Sequence, residues 1–182
     1  MVSVESPAVE GQRAPEFRAL FEAESSYVWR TLRRLGVPDR DLEDVAHEVF
    51  IIVHRRLEDF DASRPLRPWL FGISTRVAAA YRRSARNRHE VIDGAAETAD
   101  PAPAADEMVE QSEARALVRR ALDAIDEERR PVFIMHDLDG YPMSEIAAAL
   151  EIPANTGYSR LRLARAEFAG AVERARLRES KR

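Results

Sequence analysis

Residues 141–168 read YPMSEIAAALEIPANTGYSRLRLARAEF, and this stretch decides that the chain is built from paired helices. Met143, Ile146, Ala147 and Leu150 recur at helical spacing, and Pro142 suits a first helical turn, where a missing N–H costs nothing. Glu151-Ile152-Pro153 breaks the pattern, because proline disfavours helix in the residue before it and donates no backbone hydrogen bond. A second helix begins between Pro153 and Thr156. Its inward stripe is Gly157, Leu161, Ala164 and Phe168, and its outer face carries Asn155, Tyr158, Ser159, Arg162 and Arg165. Two helices on a tight turn, with donors and cations on the outer face of the second, fit a DNA major groove. The competing reading is a surface helical hairpin whose arginines are a solvated face.

Upstream, helical stripes recur. Phe17, Leu20, Phe21, Val28, Leu32 and Leu35 mark one helix, which Gly36-Val37-Pro38 ends; Trp29 falls within its apolar pattern as a core candidate. Asp39 is the expected N-cap of the next helix, whose buried side is Leu42, Val45, Ala46, Val49, Phe50, Val53 and Leu57. A third begins near Arg67 or Pro68 with Trp69, Leu70, Ile73, Val77, Ala80 and Tyr81, and ends in the polar run RRSARNR. Residues 93–110 hold two aliphatics at most among Ala, Pro, Asp and Glu, which is linker chemistry. Helical patterning resumes from Ala114. No strand pattern appears, so the expected fold is all-α: two small helical bundles joined by an acidic flexible linker, the C-terminal one containing a helix-turn-helix.

The 182 residues carry a formal net charge of −4, which conceals a strong pattern. Between residues 64 and 90, Arg64, Arg67, Arg76, Arg82, Arg83, Arg86 and Arg88 face one acid, Glu90. Residues 91–113 then carry only acids, and Arg160, Arg162, Arg165, Arg174, Arg176, Arg178, Lys181 and Arg182 follow. Two basic islands separated by an acidic bridge can grip a polyanion at two points. The absence of cysteine excludes disulfides and thiolate metal sites, and no apolar run approaches a membrane span. His47, His54, His89 and His136 share no metal-ligand spacing, and no nucleophile elbow or phosphate loop is visible. No catalytic residue, metal or cofactor is expected, and the chain is expected to act by binding.

Two long stretches carry a resemblance. Residues 41–88, DLEDVAHEVFIIVHRRLEDFDASRPLRPWLFGISTRVAAAYRRSARNR, resemble region two of the extracytoplasmic-function (ECF) sigma factors of bacterial RNA polymerase. Residues 121–172, ALDAIDEERRPVFIMHDLDGYPMSEIAAALEIPANTGYSRLRLARAEFAGAV, resemble region four. The resemblance implies a disordered leader over residues 1–12, region two over 13–90, a linker over 91–112, region four over 113–176 and a basic tail over 177–182. It implies that Glu43, Asp44, His47, Glu48 and Phe50 meet core polymerase. Trp69, Arg76, Arg82, Arg83 and Arg86 would hold the −10 element, and Asn155, Thr156, Tyr158, Ser159, Arg160, Arg162 and Arg165 the −35 element.

The implied partners are core RNA polymerase and promoter DNA, with an anti-sigma factor as a further candidate, no membrane insertion, and a cytoplasmic, nucleoid-associated location when active. Melting would follow from binding single-stranded or flipped bases better than duplex. The chain departs from the family at four places: Arg76 and Ala80 stand where the −10 helix often has Asn and Asp, His47 where the docking helix has Gln, and Gly157 where a branched apolar residue is usual. Filling that last position, as in Gly157→Val, is expected to stabilise the C-terminal half. The alternative functions are an autonomous helix-turn-helix regulator and a helical protein-interaction adaptor. Neutralising Asp93, Asp100, Asp106 and Glu107 tests whether the acidic bridge shields the basic islands from DNA.

Overall fold

The first helix, α1 (Phe17–Arg34), stops because Gly36 takes a φ of 89°, letting the Val37 N–H reach back to the Leu32 carbonyl at 3.1 Å. Only glycine adopts that backbone without a Cβ penalty. The computed structural model describes residues 17–91 and 106–180. After α1 come a 3-10 turn at Asp39–Asp41, α2 (Leu42–Arg56) and α3 (Leu66–Val91). The C-terminal half holds α4 (Asp106–Asp123), α5 (Arg130–Phe133) running into a π-helical turn at Ile134–Leu138, α6 (Met143–Leu150) and α7 (Ala154–Glu179). No strand occurs among the described residues.

Each stripe buries as its spacing requires. Leu20, Val28, Leu32 and Leu35 of the first helical segment meet Leu42, Val45, Val49 and Val53 of α2 and Leu70, Phe71, Ile73 and Val77 of α3. Burial of one such side chain contributes about 2 kcal/mol. In the other half Leu122, Ile125, Val132, Phe133, Ile134, Met143, Ile146, Leu161 and Ala164 do the same. These two sets join in a single buried cluster, with α3 packed on α6. Gly72 permits that approach: a Cβ there would overlap the Ala149 backbone carbonyl.

Several expectations are corrected. Trp29 is 38% exposed, because Val28, Thr31 and Leu32 already fill the inward stripe and position 29 is turned about 100° from 28. Asp39 does not cap α2; it opens the 3-10 turn and accepts from Arg33 Nε at 2.7 Å. Residues 106–112, linker by composition, are helical, since extending an existing helix costs far less than starting one. Helix α7 likewise continues to Glu179, past the expected boundary at 176. Residues 1–16, 92–105 and 181–182 lie outside the described residues, so the leader, most of the acidic bridge and the extreme tail are not addressed.

Candidate nucleic-acid interface

Helix α7 enters its first turn directly from Pro153, whose φ of −61° and ψ of 142° set the sharp corner after α6. Its inward face is as the spacing requires: Gly157, Leu161 and Ala164 are buried. Gly157 is no gap, however. A Cβ there would strike the Met143 sulfur, so Met143 already fills the space, and Gly157→Val is expected to destabilise rather than to help. Outward, Asn155, Tyr158, Ser159 and Arg162 are exposed, and Thr156 is half-buried.

The other two arginines of that face are engaged. Arg165 donates from Nε and Nη2 to the two oxygens of Asp137 at 2.8 and 2.7 Å, and His136 Nδ1 lies 2.7 Å from the same carboxylate. The Arg165 hydrogen bonds hold the Asp137 carboxyl below its ordinary range. The π-helical turn presents His136 and Asp137 to α7 in this way. Arg160 Nη2 donates to Glu128 at 2.6 Å. Glu167 accepts from the Asp126 backbone N–H and from Arg129, while Phe168 stacks on Phe133 with ring centroids 4.8 Å apart. Arg160 and Arg165 thus brace the helix, leaving Arg162 as the unpaired guanidinium beside Asn155, Tyr158 and Ser159.

Helix α3 is arranged differently. Trp69 is half-buried against Phe60, with ring centroids 4.8 Å apart. Arg76 Nη1 donates to Glu151 at 3.1 Å, and Arg86 Nη1 to Glu127 at 3.0 Å. Arg82 is largely buried, which pushes its guanidinium below the usual range. Its Nη1 donates to the Leu35 carbonyl at 2.5 Å, and its Nε lies 3.4 Å from Glu127. Of the five sequence-selected residues on α3, Arg83 alone is exposed with no ion pair. The loop before α3 is set by Asp61, which accepts from the Ser63 N–H at 3.0 Å and its hydroxyl at 2.6 Å. These bonds keep the Asp61 carboxyl low. The loop and Trp69 border a cleft of about 470 Å³ whose opposite wall is Ser144, Glu145, Ala148, Ala149 and Glu151.

On α2, Glu43, Asp44, His47 and Glu48 form an exposed face. Phe50, grouped with them by sequence, turns inward: it is 4% exposed, edge-on to Phe17 and Phe21. The apolar surface beside this face is instead Phe21 and Ile51, 45% and 40% exposed, which line a shallow groove with His47, His54 and Arg55. The sequence reading missed both, along with Glu127, Glu151 and Asp139, the acids that meet region-two arginines. The one available signal was Glu151, an acidic residue in a turn where glycine is the easy choice.

Among the described residues no helix is long and apolar enough to cross a membrane. The Sigma-70 region 2 family matches residues 20–88, and the Sigma-70, region 4 family matches residues 115–168. The chain is 31% identical over 160 residues to the ECF RNA polymerase sigma factor SigL of Mycobacterium tuberculosis, covering 86% of this chain and 90% of that one. It is 27% identical over 161 residues to the RNA polymerase sigma factor NccH of Alcaligenes xylosoxydans xylosoxydans, covering 86% and 87%. In fold it resembles the sigma factor RpoE in complex with the anti-sigma factor NepR from Bartonella quintana. That likeness has a TM-score of 0.64 at 16% identity and covers 86% of this chain and 96% of the other.

Proposed function

This chain belongs to the ECF RNA polymerase sigma factors, and from that premise we propose how its residues divide the work of promoter recognition. As a sigma factor it directs promoter-specific transcription initiation, binding core RNA polymerase and promoter DNA. In the proposed division, residues 13–90 act as region two and residues 113–176 as region four. Asn155, Tyr158, Ser159 and Arg162 read the −35 element in the major groove, and Thr156 supports the helix start. Arg160 and Arg165 fix the angle of α7 and reach phosphates only from the edge of the groove. Trp69, Arg76, Arg82, Arg83 and Arg86 belong to the −10 surface, where stacking and phosphate contacts hold the separated strand. Glu43, Asp44, His47 and Glu48 dock on polymerase, assisted by Phe21 and Ile51.

The observation that carries this division is the exposed quartet on α7, braced by Asp137, Glu128 and Glu167 behind it. A rigid helix with one unpaired guanidinium among small donors suits base-edge contacts, where arginine bonds guanine bidentately. The chain contributes binding and leaves bond formation to the polymerase. It works in the cytoplasm, on the nucleoid when active. An anti-sigma factor is a proposed partner, since a fold relative is held in such a complex.

Run-off transcription with core polymerase on a pool of promoter sequences tests the division. The wild-type chain is expected to select a −35/−10 pair, and Arg162→Ala to relax selection at one −35 base. Selection unchanged by Arg162→Ala would overturn the assignment of α7. Tight operator binding by the chain without polymerase would favour an autonomous regulator.

A further inference from the structure

Both halves of the chain meet at a seam built from the surfaces just assigned to the −10 element, and this inference rests on that assignment. Among the described residues Glu151 is the single non-glycine residue at positive φ, at 56°. Left-handed backbone there penalises any Cβ, and glycine or asparagine ends most such helices. A strained residue persists when something else holds it, and here its carboxylate accepts from Arg76 of α3. Arg76 is itself a departure from the family, which often has Asn there. One turn away on α3, Gly72 admits the Ala149 carbonyl where any Cβ would collide. The unusual residue on each side thus faces the unusual residue on the other.

Further along the seam the same chemistry repeats. Arg86 and Arg82 meet Glu127, and Arg34 Nη1 donates to Asp139 at 2.8 Å. Acidic groups of region four sit where phosphates would approach region two. The closure is also imperfect. Tyr27 Oη, Arg82 Nε, Arg130 Nε and Asp139 Oδ2 are buried without hydrogen-bond partners, and all four lie along this seam. Burial, and then the nearby Asp139 charge, raises the Tyr27 hydroxyl well above its usual range. Unpaired buried polar groups favour release once a competitor arrives.

Geometry makes closure incompatible with two-point binding. Positions −35 and −10 are separated by about 25 base pairs, or about 85 Å of duplex at 3.4 Å per pair. A folded chain of this length has a radius of gyration of about 16 Å. With the α6–α7 turn resting on α3, the two elements cannot be held together.

We propose that Glu151–Arg76 and the Ala149–Gly72 approach form an autoinhibitory latch, in which region four covers the −10 surface until polymerase separates the halves. The −35 face stays open meanwhile, because Asn155, Tyr158, Ser159 and Arg162 point away from the seam into solvent.

Gly72→Ala and Glu151→Gly test the latch in the full chain, since neither residue belongs to the proposed DNA surface. Alanine suits the interior of α3, and glycine suits the backbone at 151, so both variants are expected to retain wild-type helicity by circular dichroism. Small-angle scattering is expected to show an increased radius of gyration for each. Fluorescence anisotropy with mixed-sequence single-stranded DNA, without polymerase, is expected to show about ten-fold tighter binding, a gain of about 1.4 kcal/mol. A radius unchanged in both variants would overturn the latch. Expansion with no gain in DNA binding would support the latch and overturn the assignment of α3 to DNA.

Discussion

Helices α3 and α7 both carry arginines on their outer faces, yet the fold leaves them in opposite states. On α7 the acids that bind Arg160 and Arg165 come from the same half of the chain, and they stiffen the helix while Arg162 stays free. On α3 the acids that bind Arg76, Arg82 and Arg86 come from the other half, so the pairs last only while the halves touch. Pairing within a module builds a rigid instrument. Pairing between modules builds a removable cover. The same residue type at similar exposure therefore has two meanings, decided by which side of the seam its partner stands on.

The strongest challenge to this contrast comes from Arg130, which lies beside Gly36 at the seam and donates from Nη2 to the carbonyls of Asp123 and Ile125 at 3.0 and 3.1 Å. Arg130→Ala leaves both carbonyls unpaired and is expected to cost about 3 kcal/mol, read from urea denaturation. A single transition shared by both halves is expected; two separate transitions would return them to independence. Gly157→Val forces Met143 aside and is expected to cost about 2 kcal/mol in the same measurement, with loss of −35 selection. Unchanged stability would show that Met143 moves freely and that α7 is less braced than its contacts suggest.

Arg162→Ala sharpens the contrast from the other side. It is expected to leave the melting temperature unchanged while weakening −35-dependent transcription by about ten-fold, the lower range for one base contact. A shifted melting temperature would mean that this arginine also has a structural partner. The smallest effect belongs to Asp137. Because its folded pKa is depressed by Arg165, the pair's contribution is present above the ordinary carboxylate range and lost as pH falls through the folded value. Asp137→Asn is expected to flatten the acid limb of the stability–pH curve slightly; an identical limb would assign that acid sensitivity to other carboxylates.

Much of α7 was legible in the sequence, because a 3.6-residue period separates Gly157, Leu161 and Ala164 from Asn155, Tyr158, Ser159 and Arg162 without knowledge of any other element. Phe50 and Trp29 were not, for the same physical reason in reverse. An aromatic at the margin of a stripe is buried or exposed according to what the neighbouring helix brings, and Phe50 found Phe17 and Phe21 while Trp29 found solvent. Asp39 satisfied every local rule for a cap, but Arg33 competed for its carboxylate. The seam was least legible. Its pairs join residues as far apart as Arg34 and Asp139, and no periodicity within either half encodes which acid an arginine will meet. Gly72 read as an ordinary helix position until Ala149 was laid against it.

Helix α7 can also be regarded as a pointer with its bearing at Phe168. From Phe168 to Asn155 is 13 residues, a lever of about 20 Å. A tilt of about 10° at the bearing would sweep the tip through about 3.4 Å, one base-pair step. Glu167, tied to the Asp126 amide and to Arg129 next to that bearing, resists this rotation. A carboxylate that touches no nucleotide thereby sets the register in which the others are read.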